Sequence, residues 1–206
     1  KEKIKLIMDN IPSKIFITGA PGSGWADLAT KLENKIGADV SHRDSDHRMF
    51  SFYDSSKLEY RKMHSGVFFG TGMEFSAGLD IIDKPYSSDS TRVYRSHEWV
   101  YMLDEIRERF LDAWIVFVNR LDDECFQWWK YVGGFNITYP NYEWYQDNKT
   151  MLKRIKEQNK IMLQFCSKHN IEWVDPNIIF EDATPVPNEN KNYIAIYKPE
   201  KEKNNV

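Results

Sequence analysis

The stretch Gly19-Ala20-Pro21-Gly22-Ser23-Gly24 constrains the fold of this chain more than any other. Ile15 to Thr18 before it is a short apolar, β-prone run that reads as a buried strand. Trp25, Leu28, Ala29, Leu32 and Ile36 follow at helical spacing, and Gly37 stands where a helix C-cap glycine belongs. Strand, glycine turn and helix in that order form the context of a phosphate-binding loop. Glycines let the backbone curl and turn several N–H groups toward one anion. The helix that starts near Trp25 adds about half a positive charge at its N-terminus. Ala20, Pro21, Gly22, Ser23, Gly24 and Trp25 are therefore the expected contacts to a phosphate-bearing nucleotide. The alternative is a tight strand-to-helix turn that holds nothing.

The form of this loop found in nucleoside triphosphatases continues with Lys and then Ser or Thr. Here those positions are Trp25 and Ala26. The lysine for the β and γ phosphates and the hydroxyl for Mg²⁺ are both missing, which weighs against an ordinary ATPase or kinase.

Further along, Arg92 to Arg95 reads as a second strand, followed by a helix with Trp99, Leu103, Ile106 and Phe110 on one face. Trp114 to Asn119 reads as a central strand, Leu121 to Tyr131 as a helix, Met151 to His169 as a long helix, and Ile171 to Val174 as a last central strand. The alternation implies an α/β fold of three layers, a parallel sheet with helices on both faces. Residues 39–89 are rich in Ser, Asp and Gly and read as an irregular substrate-side insertion, with a helix expected over Tyr53 to Met63. Residues 1–206 read as one domain with a frayed tail from Lys198.

Ligands of such sheets bind at the carboxyl ends of the strands. Three features fall there: the loop after Thr18, the segment after Tyr94, and Arg120 after Asn119. His97 lies where a general base belongs, because an ordinary histidine accepts a proton near neutral pH. Its alternative is an exposed ring at a helix N-terminus. Arg120 can fork two hydrogen bonds to a phosphate, or can pair with Asp122, Asp123 or Glu124.

These segments together resemble the PAPS-dependent sulfotransferases, enzymes of P-loop fold that move a sulfuryl group from 3′-phosphoadenosine 5′-phosphosulfate (PAPS). Gly19 to Gly24 looks like that family's 5′-phosphosulfate loop, which does without the kinase Lys-Thr pair. Arg95-Ser96-His97 resembles its Lys-(Ser/Thr)-His segment, whose histidine is the catalytic base. Trp114 to Arg120 resembles its strand ending in an arginine that grips the 3′-phosphate. The resemblance covers roughly Lys14 to Gly134, and Gly133 to Pro140 also looks like short sulfotransferase-like proteins of marine phages. It implies PAPS as donor, PAP as product, a small-molecule or carbohydrate acceptor, and His97 as base; Arg95, on the neighbouring strand, is the expected substitute for the missing loop lysine at the sulfonate. Gly22 stands where the family carries Lys or Arg, Trp128 where it carries a serine on the 3′-phosphate, and no C-terminal Arg-Lys-Gly loop is found. A nucleotide-binding protein that has lost the chemistry, or an ATP-dependent small-molecule kinase, are the competing expectations.

Composition narrows the partners. A net charge of −3 lacks the basic excess of a general nucleic-acid binder. Cys125 and Cys166 lie in separate helices without metal-type spacing, which suits a reduced, cytoplasmic chain. The apolar stretch from Leu6 is too short for a signal-peptide core, and Trp114 to Val118 is far short of a membrane span. His42, Arg43, Asp44, Asp46, His47 and Arg48 read as solvated surface with no metal, the alternative for Arg43 and Arg48 being the lining of the donor or acceptor pocket. Trp128, Trp129, Tyr139, Tyr142, Trp144 and Tyr145 are candidates for an aromatic wall beside an acceptor.

Overall fold

A computed structural model describes residues 11–41, 49–54, 59–64, 79, 82–83, 86–131, 147–176 and 191–199, with 49–54 and 59–64 described by their backbone. Strand β1 (Lys14–Gly19) leads through the glycine loop into helix α1 (Trp25–Ile36). A separate antiparallel hairpin follows, β2 (Met49–Asp54) with β3 (Glu59–His64). Strand β4 (Arg92–Arg95) runs into a 3₁₀ helix (His97–Met102) and α2 (Leu103–Arg109). Strand β5 (Trp114–Asn119), α3 (Asp122–Tyr131), α4 (Asn148–Lys168) and β6 (Tyr193–Tyr197) complete the order. The main sheet is ordered β4-β1-β5-β6. Strands β4, β1 and β5 are parallel, and β6 runs antiparallel to β5.

Alternation along the strands sends side chains to two faces. Ile15, Ile17, Val93, Trp114, Val116, Val118 and Ile194 pack with Trp25, Leu28 and Ala29 of α1. Phe16, Tyr94, Ile115, Phe117 and Ala195 pack with the 3₁₀ helix and α2 through Trp99, Val100, Leu103 and Ile106, and with α4 through Met162, Phe165 and Cys166. A strand covered on both faces must be apolar at every position, which is why Trp114 to Val118 has no polar break. Gly37 closes α1 in the left-handed conformation, its N–H donating to the Glu33 carbonyl. Asp147 caps α4 by accepting from the Thr150 N–H at 2.8 Å, a cap worth about 1 kcal/mol.

Two expectations are corrected. Tyr53 to Met63 is not a helix: its ends belong to β2 and β3, paired Met49 to His64 through Asp54 to Glu59. Asp54-Ser55-Ser56 is turn chemistry and the flanking Tyr and Phe residues favour strands. Ile171 to Val174 is not a central strand. Val174 makes one isolated bridge to Ile194, and β6 takes the place beside β5. Four residues with a charged Glu172 among them do not supply the two-sided apolar surface of a central strand. The sheet is accordingly mixed, not wholly parallel.

The ends of the 39–89 segment are tied together. Asp39 accepts from the Ser41 N–H at 2.8 Å and from both the N–H and hydroxyl of Ser88, and its own N–H donates to the Thr91 carbonyl. Burial works against the Asp39 carboxylate, but these hydrogen bonds win and hold it down at about 2. Most of the interior of that segment, including residues 42–48 and 65–78, lies outside the described residues.

Candidate functional site

The glycine loop sits at the carboxyl end of β1, between α1 and the β5–α3 connection. Gly22 and Gly24 have φ of +83° and +82°, a region costly to side-chain-bearing residues. A Cβ on Gly22 would lie 1.9 Å from the Cys125 carbonyl oxygen, so the loop lies directly on the first turn of α3. Inside the loop the Ser23 N–H donates to the Ala20 carbonyl at 3.0 Å. Ala20 is buried beside Cys125, Trp129, Met151 and Ile155.

Arg120 is the cation of this loop. It leaves β5 at its carboxyl end, is only 6% exposed, and donates from Nη1 to the Gly22 carbonyl at 3.0 Å. Its Nη2 lies 3.7 Å from the Cβ position of Gly24. Cys125 Sγ and Asn159 Nδ2 both donate to the Arg120 carbonyl, and Asn159 also binds Asp122 Oδ1 at 2.7 Å. Among the described residues no carboxylate pairs with Arg120, and its Nε is buried without an acceptor. The expected alternative, a salt bridge to Asp122, Asp123 or Glu124, is not formed. Burial pushes the guanidinium pKa down, with Cys125 and Glu124 opposing. A buried, uncompensated guanidinium is costly unless an anion completes it.

His97 opens the 3₁₀ helix at the end of β4, where the Ser96 N–H donates to the Ile17 carbonyl. It is fully buried, its ring 6.3 Å from that of Trp25. The exposed-ring alternative is thereby overturned. Burial drives its pKa down to about 3, so the imidazole is neutral throughout the physiological range. A folded value below the ordinary 6.5 gives a definite sign. The stability tied to neutral His97 is complete above pH 6.5 and is lost as pH falls toward 3. The slope is about 1.4 kcal/mol per pH unit while the unfolded chain alone is protonated. Urea unfolding of His97→Gln against the parent between pH 7 and 4 is expected to show a shallower decline in the variant. Coincident profiles would mean an ordinary titration at His97.

Arg95 is engaged elsewhere. Its guanidinium binds Glu33 Oε2 at 3.2 Å, Thr30 Oγ1 at 3.2 Å and the Ala26 carbonyl at 3.0 Å, fastening β4 to α1. Both members of the ion pair are buried. A guanidinium committed in this way reaches a sulfonate only by breaking that pair. Trp25 follows the loop but is 2% exposed and packed in the α1 core. Ala20 and Ser23 are fully buried, and Gly22 presents its carbonyl to Arg120.

Three site residues escaped the sequence reading. Asn192, just before β6, donates from Nδ2 to the Ser23 carbonyl at 3.1 Å and so braces the loop from a point far along the chain. Asn159 braces Arg120, as above. Gln158, the neighbour of Asn159 on α4, is fully buried, and neither half of its amide has a partner among the described residues. The only signal was two adjacent amides on the apolar face of a long helix. Tyr139, Tyr142, Trp144 and Tyr145, and the Gly133 to Pro140 stretch, lie outside the described residues.

A cavity of about 640 Å³ lined by His169, Glu172, Val174, Ile196, Tyr197 and Lys198 lies at the opposite end of β5 and takes no part in this arrangement. No helix among the described residues is long and apolar enough to cross a membrane. Compared with known proteins, the chain matches no family model, no curated protein and no solved structure. What the geometry defines is a mixed α/β protein whose glycine loop, at the carboxyl end of a central strand, carries a buried arginine.

Proposed function

We propose that this chain is a three-layer P-loop domain that binds PAPS and its product PAP through Gly19 to Gly24 and Arg120. We further propose that it transfers the sulfuryl group to a hydroxyl or amine of a small-molecule or carbohydrate acceptor. The observation that carries the proposal is Arg120, a buried guanidinium seated on the glycine loop and, among the described residues, held in no salt bridge. A phosphate or phosphosulfate on the loop completes that charge, and the N-terminus of α1 adds to the attraction. Gly22 leaves the loop without a cation of its own, and Arg120 brings one in from β5. In this reading His97 takes the acceptor's proton as the acceptor oxygen or nitrogen bonds sulfur and the bond from sulfur to the 5′-phosphate oxygen breaks, releasing PAP.

A second reading, donor binding without transfer, draws on one observation: His97 is sealed from solvent and held well below the pKa of an effective base. The test is PAP release from PAPS with hydroxyl and amine acceptors, followed by chromatography. Transfer requires acceptor-dependent release that falls about 100-fold or more in His97→Ala. Release that ignores the acceptor and His97, in a protein that binds PAP, selects the second reading.

A further inference from the structure

Helix α3 carries a second feature tied to Arg120. Trp128 and Tyr131, three residues apart and so on one side of the helix, are 41% and 80% exposed. Their rings stack on each other with centroids 5.4 Å apart and planes 29° apart. The Arg120 guanidinium lies 5.6 Å from the Trp128 ring centre. The group that holds the loop carbonyl thus also abuts an aromatic platform open to solvent. Exposed Trp is costly to leave wet, since it offers a large apolar surface. The neighbouring Trp129 is buried in the α3–α4 core, so packing already has its anchor there.

We infer that Trp128, backed by Tyr131, is the stacking platform for the purine base of the nucleotide whose phosphate lies on the loop and Arg120. This rests on the donor-binding reading above and adds the part of the ligand that an anion site alone does not select. Every base has a π-face, and stacking on an aromatic side chain is a general mode of base recognition. Charge favours this occupant, because an anion on Arg120 tethers its own base within reach of a ring that the same guanidinium touches.

The experiment measures Kd by calorimetry for PAP and for inorganic pyrophosphate, on the parent, Trp128→Ala and Trp128→Phe. Trp128→Ala is expected to weaken PAP about 10- to 100-fold, to leave pyrophosphate unchanged, and to keep the melting temperature. Trp128→Phe is expected to regain most of the loss. Unchanged PAP affinity in Trp128→Ala overturns the platform while leaving the loop reading intact. An equal loss for PAP and pyrophosphate overturns it too, because the ring would then act on the anion site alone. Failure of the parent to bind either ligand overturns the loop reading, and the platform with it.

Discussion

Gly22→Ala is expected to cost about 2–5 kcal/mol of stability and, on the proposed function, to abolish PAP binding. Two effects add. At φ of +83° an alanine pays the left-handed penalty, about 1–2 kcal/mol. Its Cβ would also stand 1.9 Å from the Cys125 carbonyl oxygen and 2.7 Å from the carbonyl carbon. Backbone cannot swing aside as a flexible side chain can, so the loop must lift off α3. That movement takes the Gly22 carbonyl away from Arg120. Gly37→Ala is the control. It has a φ of +62° but nothing within 4 Å of its Cβ position, so only the conformational term remains. Urea midpoints of the two variants are the measurement. Equal losses would mean that the loop does not rest on α3.

Arg95→Ala is expected to destabilise the fold by about 3–5 kcal/mol, the usual cost of removing one partner from a buried pair. Glu33 would keep a buried carboxylate and lose its guanidinium, while the Ala26 carbonyl and Thr30 lose a donor. This differs from the expectation that Arg95 serves the sulfonate, under which Arg95→Ala keeps the fold and loses only turnover. Arg95→Met combined with Glu33→Leu should recover much of the lost stability, because an apolar pair of similar volume removes both charges. A melting temperature unchanged in Arg95→Ala would contradict this bracing role and favour the sulfonate role.

The central strands and α1 were legible because their signals are local. Ile15 to Ile17 and Trp114 to Val118 are apolar throughout, and Gly37 marks a helix end by backbone conformation alone. The carboxyl-end convergence of the loop, His97 and Arg120 followed from the same alternation. Strand β6 escaped because Tyr193 to Tyr197 is short and gains its place by antiparallel pairing with β5, far earlier in the chain. The hairpin was misread because its alternation is interrupted by the charged residues of β3. Arg95 and Arg120 show the limit most plainly. Both follow or end apolar strands and look equivalent in sequence. Only the positions of Glu33 on α1 and Gly22 on the loop decide that one arginine is neutralised within the fold and the other is seated on the loop carbonyl.

The most direct test of that assignment is a calorimetric titration of PAP into the parent protein and into Arg120→Gln, with ATP and Mg²⁺ as the competing ligand. Saturable PAP binding by the parent, not matched by ATP with Mg²⁺ and lost in an Arg120→Gln variant that still melts cooperatively, is the expected result. PAP binding that persists undiminished in Arg120→Gln, or a parent that binds only ATP with Mg²⁺, would contradict it.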